Sequence, residues 1–132
     1  MEKISIKTGS RDAMLDITDQ VEALVPADMR EGLCTVYCEH TTAAVTINEN
    51  ADPDVRSDIR STLDRLIPFN QPEFRHAEGN SAAHLKSSMI GCSVTIPVKN
   101  GRLYLGRWQG IYFCEFDGPR QRTVSVWFIK GY

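Results

Sequence analysis

The three histidines of this chain, His40, His76 and His84, are the residues whose type and position most directly suggest chemistry. His40 ends an apolar strand-like run, His76 follows a turn-rich loop, and His84 lies in the first turns of a short helix-like segment. Neutral imidazole is the commonest protein ligand for zinc, and three histidines with one open position form a catalytic zinc site. Because only His76 and His84 are close in sequence, spacing alone favours three unrelated surface or capping histidines.

The surrounding residues predict the strands that would hold His40 in place. Apolar and polar residues alternate in five segments, which predicts strands over residues 33–40, 43–48, 94–98, 111–116 and 123–129. A further strand is suggested at residues 4–6, and Asn100-Gly101 is a strong hairpin signal that leads into a return strand at residues 103–105. His40 is therefore expected at the end of a strand.

Three helices are predicted between these strands. The first begins after Thr18 as a cap and ends near residues 26–29. The second runs from Asp52 to Pro68, and the third from Asn80 to Gly91. Asp52 is a good N-cap and Pro53 a good first helical residue. The third helix carries His84, and the polar loop before it, residues 69–79, delivers His76. Loops of that length inside compact domains are usually functional or disordered.

Length and composition bound the fold and its partners. The 132 residues are most simply one domain, residues 1–132, and strands and helices do not alternate as they do in a doubly wound sheet. This order predicts an α+β fold, a largely antiparallel, sandwich-like sheet with packed helices. The net charge of −2 and the absence of a basic block argue against nucleic acid, and no apolar run is long enough for a membrane span. The N-terminus lacks the apolar core of a signal peptide, so a cytoplasmic location is expected.

The four cysteines fit a reducing compartment. Cys34 and Cys38 lie four residues apart in a predicted strand, or roughly 13 Å, which is too far for a disulfide. Cys92 and Cys114 are expected in other strands, and reduced, buried thiols are the favoured interpretation. Cys38 and His40 share a strand face, so a mixed cysteine and histidine metal site is a weaker alternative.

Four stretches of the chain resemble one known family. They are HTTAAVTINENADPDV at residues 40–55, HAEGNSAAHLK at 76–86, GRLYLGRWQGIY at 101–112 and EFDGPR at 115–120. On these motifs the chain resembles the YjbQ-like family, known as the secondary thiamine-phosphate synthase family, over nearly its whole length. The chain departs from the family pattern at one position, where Arg107 replaces a threonine before Trp108 and Gln109.

The resemblance implies a fold, an assembly and an activity. It implies an α+β sandwich-like subunit, a homotrimer, and a divalent metal, zinc by preference, bound by His40, His76 and His84. The implied reaction couples a pyrimidine methyl diphosphate to a thiazole phosphate and releases diphosphate. The partner would thus be a phosphorylated small molecule, and the activity is treated as a secondary one.

Such chemistry needs a cradle for phosphate oxygens and compensation of negative charge. Gly79-Asn80-Ser81 places backbone N–H groups at a helix start, which favours an anion, although for this stretch by itself a simple capped helix end is the better explanation. Further candidate substrate-binding residues are the cations Lys86, Arg107 and Arg120, together with Trp108 and Gln109. Glu49 and Glu78 are the candidates for acid–base catalysis, whereas Asp52 is assigned to the helix cap.

Two classes of function follow from these residues. One is a metal-dependent enzyme that acts on phosphorylated small molecules, as a synthase or as a phosphohydrolase. The other is a non-catalytic trimeric module whose histidines hold a structural metal. A structural zinc site is closed by four protein ligands, whereas three histidines without an evident fourth ligand favour an open, catalytic site. The sequence therefore favours the enzyme.

Overall fold

The computed structural model describes residues 1–131. Within them the chain forms eight strands and three helices: β1 Glu2–Lys7, β2 Ala13–Asp16, α1 Thr18–Glu22, β3 Glu31–Cys38, β4 Ala43–Glu49, α2 Pro53–Leu66, α3 Ser81–Ile90, β5 Ser93–Lys99, β6 Arg102–Leu103, β7 Gln109–Glu115 and β8 Gln121–Lys130. None of the helices in this part of the chain combines the length and the apolar character that a bilayer crossing requires.

Two antiparallel sheets and a helical layer build the fold. The larger sheet has the strand order β1-β8-β3-β5-β6, and the smaller one has the order β2-β7-β4. The main apolar core lies between the sheets, with Val36 and Val126 from the larger sheet and Phe113 from the smaller. A second core on the other side of the smaller sheet contains Ala44 of β4 and Ala83 of α3, with Ile59 of α2 packed against it. The predicted α+β fold, a mainly antiparallel sandwich with packed helices, is confirmed.

The second and third helices begin as the sequence predicts. Asp52 is the N-cap of α2, where its Oδ1 accepts from the Asp54 N–H at 2.9 Å, and Pro53 is the first helical residue. Asn80 stands at the N-cap position of α3, and Ser87 in that helix donates to the Ala43 carbonyl at 2.7 Å. This bond fixes α3 on the first residue of β4.

The first helix differs from its prediction. It ends at Glu22 rather than near residues 26–29, and Ile17 rather than Thr18 occupies its N-cap position. The Thr18 hydroxyl instead accepts from the Ile111 N–H at 2.9 Å and donates to Asp16. Because that hydroxyl is committed to β7 and to the end of β2, it is not available as a helix cap.

Three of the four cysteines lie in the core. Cys34, Cys38 and Cys114 are buried, whereas Cys92 is exposed before β5, so the prediction of a buried thiol in a strand is wrong for Cys92. All four thiols are free. Burial, followed by the nearby Cys38, raises the pKa of the Cys114 thiol to about 12.

Candidate functional site

The three histidines line one cleft of about 450 Å³. His40 reaches it from the turn between β3 and β4, His76 from the loop between α2 and α3, and His84 from the start of α3. The rings of His76 and His84 meet edge to face, with centroids 5.5 Å apart. We call this space the histidine cleft; its other lining residues are Glu39, Thr41, Thr42, Glu78, Asn80, Asp117, Arg120 and Arg122.

His40 is fixed by the backbone of β8. The strand was predicted to run to His40, but β3 ends two residues earlier, at Cys38. His40 therefore stands in the connection that follows β3. Its Nε2 accepts from the Thr123 N–H at 2.9 Å. Burial, followed by the charge of Arg122, lowers the pKa of His40 below its ordinary value. His40 is therefore a neutral imidazole near pH 7, and its single proton resides on Nδ1.

His76 stands in a tight turn with an acidic neighbour. The Gly79 N–H donates to the His76 carbonyl at 3.1 Å, and Gly79 adopts a φ of 74°. This left-handed conformation favours glycine. The turn brings Glu78 Oε1 to 3.8 Å from His76 Nε2. Glu78 therefore lies where a carboxylate can orient this imidazole or stabilise its protonated form.

A buried ion pair forms one side of the cleft. Glu115 has no solvent exposure, and its carboxylate accepts from Arg122 Nε at 2.8 Å and from Arg122 Nη2. Arg122 also donates to the Thr42 hydroxyl at 2.9 Å. Burial alone raises the pKa of the Glu115 carboxyl, but hydrogen bonds from Arg122, the Asp117 N–H and Thr8 hold it below its ordinary value. The Arg122 charge is thus neutralised within the protein.

Asp117 holds the opposite wall together. Its Oδ2 accepts from Asn80 Nδ2 and from Arg120 Nη2, both at 2.8 Å, and its carbonyl accepts from Arg120 Nε at 2.7 Å. The loop carrying Asp117 and Arg120 lies close to the backbone at Ser10. A Cβ added to Gly118 would lie only 2.2 Å from the Ser10 carbonyl oxygen, so this position requires glycine. Arg120 is half exposed and keeps further N–H donors for a bound anion.

The three histidines of the cleft are suitable zinc ligands by residue type, but their side chains are not arranged around a common metal position. Three imidazoles are characteristic zinc ligands. However, among residues 1–131 no group of three or more histidine, cysteine, aspartate or glutamate side chains is placed to hold a metal. His40 explains part of this, because its Nε2 lone pair binds the Thr123 N–H and its Nδ1 carries the proton. His40 can ligate a metal only if it gives up that hydrogen bond.

Several predicted residues lie away from the histidine cleft. Glu49 pairs with Gln109 at the far end of β4, whose seven residues span about 20 Å from the cleft. Arg107 stacks on the Trp108 ring at 4.8 Å in the exposed turn that leads to Gln109. Within one chain, the arginine that distinguishes this sequence is therefore remote from the three histidines.

Lys86 also lies outside the cleft. It is almost fully buried in α3, where its Nζ contacts Asp64 of α2 and lies 3.8 Å from Asp12 Oδ1. This lysine ties α3 to α2 and to the segment before β2. Gly79 and Ser81 flank the cleft-lining Asn80 without themselves lining the histidine cleft.

The sequence did not assign Asp117, Arg122, Thr42 or the buried Glu115 to the site. A signal for the ion pair was present, because Glu115 and Arg122 are opposite charges within or beside apolar strand segments. A charge in a buried strand is almost always paired. No sequence signal shows that Asp117 would bind Asn80, since the two residues are 37 positions apart.

Comparisons with known proteins agree on one family. The model of the family described as "UPF0047 protein YjbQ-like" matches residues 2–131. UPF0047 protein YugU of Bacillus subtilis is 55% identical over 127 residues, which cover 96% of each chain. UPF0047 protein MJ1081 of Methanocaldococcus jannaschii is 51% identical, with 96% of this chain and 92% of that protein covered.

Solved structures give the same result. An uncharacterized conserved protein of the YjbQ/UPF0047 family from Clostridium acetobutylicum superposes with a TM-score of 0.95 at 49% identity, covering 98% of this chain and all of the other. A YbjQ-like protein of unknown function from Sulfolobus solfataricus superposes with a TM-score of 0.93 at 30% identity, covering 98% of this chain and 96% of the other.

Proposed function

The chain belongs to the YjbQ-like UPF0047 family, and from the cleft that it carries we propose that the protein is an enzyme acting on phosphorylated small molecules. One observation carries the proposal. His40, His76 and His84 come from three separate segments and line the same cleft as Arg120. Imidazoles that line a solvent-accessible cleft, rather than the core, are suited to moving protons or binding a metal.

The charged residues of the cleft would bind a negatively charged ligand only if a further positive charge were present. Two arginines and three carboxylates line the cleft, and Arg122 is already paired with Glu115. Arg120 is itself paired with Asp117, so a phosphate group would meet the N–H donors that Arg120 has left but no unpaired arginine in the cleft. Protonation of His76, or a divalent ion, would supply the missing positive charge.

We propose separate roles for the residues that lie around the bound phosphate. Arg120, held by Asp117, donates to phosphate oxygens through the N–H groups it has left. His76, oriented by Glu78, holds or moves a proton at a phosphate or leaving-group oxygen. Without a bound metal, His40 serves as a neutral wall of the cleft, because its Nε2 accepts the Thr123 N–H.

The family resemblance favours a transferase, and we propose thiamine-phosphate synthase-type coupling as its activity. The thiazole nitrogen would form a bond to the methylene carbon of the pyrimidine diphosphate, while the bond from that carbon to the diphosphate oxygen breaks. The diphosphate leaves with the electron pair of the broken bond. Arg120 and a protonated His76 would compensate this developing negative charge. A phosphohydrolase, in which water accepts the phosphoryl group, is the second candidate at the same cleft.

The divalent metal, zinc by preference, is also part of the proposal. His76 and His84 would hold it, and His40 would join them after releasing Thr123. When bound, the ion would supply charge compensation for phosphate oxygens. Metal analysis of the purified protein tests this, and an unchanged metal content in His76→Ala and His84→Ala would contradict it.

The activity test uses defined substrates. The protein is mixed with the pyrimidine diphosphate and the thiazole phosphate, thiamine phosphate is quantified, and phosphate release from each substrate alone is followed in parallel. We expect His76→Ala to lower the rate about 100-fold or more, the usual value of a general acid–base group. Arg120→Ala should raise KM, whereas the exposed Arg65→Ala on α2 should change neither parameter. Equal rates for wild type and His76→Ala would refute the proposed role.

The homotrimer remains a prediction that an exposed apolar surface supports. Leu33, Tyr37, Trp127 and Ile129 are 43%, 44%, 49% and 65% exposed on the outer face of β3 and β8. Leu33 and Ile129 are cross-strand partners, and Trp127, opposite Thr35, lies between that pair and the Tyr37 pair along the two strands. Contiguous apolar patches of this kind mark protein contacts.

Light scattering tests the assembly. We expect a trimeric mass at micromolar protein and a smaller mass for Trp127→Glu, with Met89→Glu on α3 as the control. A monomeric mass for the wild type would contradict the prediction. A trimer with bound metal but without either activity would favour the alternative, a non-catalytic metal-binding module. We retain the cytoplasm as the proposed location.

A further inference from the structure

Asn80 is an unusual residue in the wall of the histidine cleft. It is 6% exposed, and within residues 1–131 its side-chain Oδ1 is the one buried side-chain oxygen or nitrogen that has no hydrogen-bond partner. Leaving such an acceptor unpaired is unfavourable, because it has lost its hydrogen bonds to water without gaining others. The Oδ1 atom itself is almost inaccessible, but the Asn80 side chain belongs to the wall of the histidine cleft. A donor on a bound molecule would therefore reach Oδ1 from the cleft when that wall shifts on binding.

The Asn80 side chain also makes no capping hydrogen bond to the helix that it precedes. An asparagine at an N-cap ordinarily accepts a backbone N–H of the first helical turn through Oδ1. Here it makes no such bond, and the Ala83 N–H donates to the Asn80 carbonyl instead, at 3.0 Å. The side chain is therefore turned away from the helix that it precedes.

Asp117 fixes which end of the amide is left unpaired. Its Oδ2 accepts from Asn80 Nδ2 at 2.8 Å and also from Arg120. An inverted amide would place Oδ1 against the Asp117 carboxylate, and acceptor would then face acceptor. The same carboxylate orients Arg120, so one residue sets the position of a cation donor and of a neutral acceptor on one wall.

We propose that Asn80 Oδ1 is a specificity-determining acceptor for a hydroxyl or amino group of the bound molecule, and that Asp117 is its positioning residue. This inference rests on the proposed function, since Arg120 on the same wall would receive the phosphate of that molecule. The site thus selects phosphate esters that carry a hydrogen-bond donor over esters that are apolar beyond the phosphate. A neutral amide oxygen accepts from such a donor without attracting a second charge.

The test compares two probes of the same chain length, glycerol 3-phosphate, which carries hydroxyl donors, and n-propyl phosphate, which carries none. For the wild type we expect glycerol 3-phosphate to bind about threefold to tenfold more tightly, the net value of one neutral hydrogen bond. For Asn80→Leu the affinity ratio should fall to about one, while n-propyl phosphate affinity changes less than about twofold.

Two further variants separate positioning from folding. Asp117→Asn should lower the ratio as well, because the Asn80 amide can then invert, whereas Asn70→Leu, on an exposed residue outside the histidine cleft, should leave the ratio unchanged. Thermal denaturation confirms that each variant is folded. A crystal structure with glycerol 3-phosphate should show a hydroxyl oxygen within about 3.2 Å of Asn80 Oδ1.

The outcomes distinguish the two proposals. Equal affinities of the wild type for the two esters would overturn the role of Asn80 and leave the proposed function standing. A water molecule that stays on Asn80 Oδ1 in the ligand complex would do the same. If neither ester binds, the phosphate site and the inference that depends on it both fail.

Discussion

Replacing Glu115 with glutamine would leave the Arg122 guanidinium charged inside the protein without its counter-ion. The two side chains are 0% and 5% exposed. Glu115 also accepts from the Thr8 hydroxyl at 2.7 Å and from the N–H groups of Phe116 and Asp117 at 3.1 and 3.0 Å. Glutamine can keep some of these bonds, but it removes the negative charge.

The expected loss is about 3–5 kcal/mol, the usual cost of breaking a buried ion pair by removing one partner. Domains of this size are stable by about 5–15 kcal/mol, so the variant would lose a large part of its stability. With a urea m-value of about 2 kcal/mol/M, the unfolding midpoint should fall by roughly 2 M. Urea unfolding followed by circular dichroism measures this directly.

The double variant Glu115→Gln/Arg122→Met gives a sharper result. Because it leaves neither charge of this pair buried, it should recover more than half of the loss seen in Glu115→Gln. The exposed pair Lys130–Asp28, with side chains 60% and 78% exposed, is the matched control. Asp28→Asn should change stability by less than about 1 kcal/mol. A similarly small loss for Glu115→Gln would refute the argument.

The pH dependence of stability adds an independent test of the same pair. The pKa of the Glu115 carboxyl is held below its ordinary value of 4.5 in the folded protein. A carboxyl of this kind contributes stability that is present above its unfolded pKa and is lost as the pH falls through the folded pKa. The unfolding free energy of the wild type should therefore fall below about pH 4.5, and Glu115→Gln should remove part of that fall.

Three further predictions concern single residues. His40 should titrate below 6.5 in an NMR pH series, because burial and then Arg122 lower its pKa, and a value above 6.5 would contradict this. Cys92 should react with a thiol reagent in the native protein, whereas Cys114, buried and with its pKa raised to about 12, should react only after unfolding. Arg107→Thr should leave phosphate-ester affinity unchanged at low salt, because Arg107 stacks on an exposed tryptophan away from the histidine cleft; a salt-sensitive loss would return it to the site.

Local sequence signals predicted most of the fold. The strands with clear alternation and the helix begun by Asp52-Pro53 appear where they were predicted. The strand β2 was missed because its four residues, Ala13–Asp16, are too few to show a period and follow a polar turn. Thr18 was wrongly predicted to cap helix α1 because its hydroxyl binds β7, a tertiary contact that no local pattern encodes. The helix also ends earlier than predicted, at Glu22.

The candidate site was predictable in part. Motif resemblance brought out His40, His76 and His84, and the structure places them on one cleft. The same motifs also contain Glu49 and Arg107, which strand geometry carries to the far end of the small sheet. A motif does not show whether the strand that follows a site residue runs away from the site. The sequence alone could therefore not show that Glu49 and Arg107 lie far from the histidines.

The pairing of β1 with β8 has a consequence for the order in which the protein can assemble. Among the described strands β1 is synthesised before all others and its partner β8 after them, so about 110 residues are made between the two. Thr8, just after β1, exchanges hydrogen bonds with Arg120 across 112 positions, at 2.9 Å from its N–H and 2.8 Å to its hydroxyl. These bonds join the residue after β1 to the residue before β8, so the loop that carries Arg120 is fixed only when this long-range contact forms. A nascent chain stalled before β8 lacks the Thr123 N–H that fixes His40, so it holds no completed cleft.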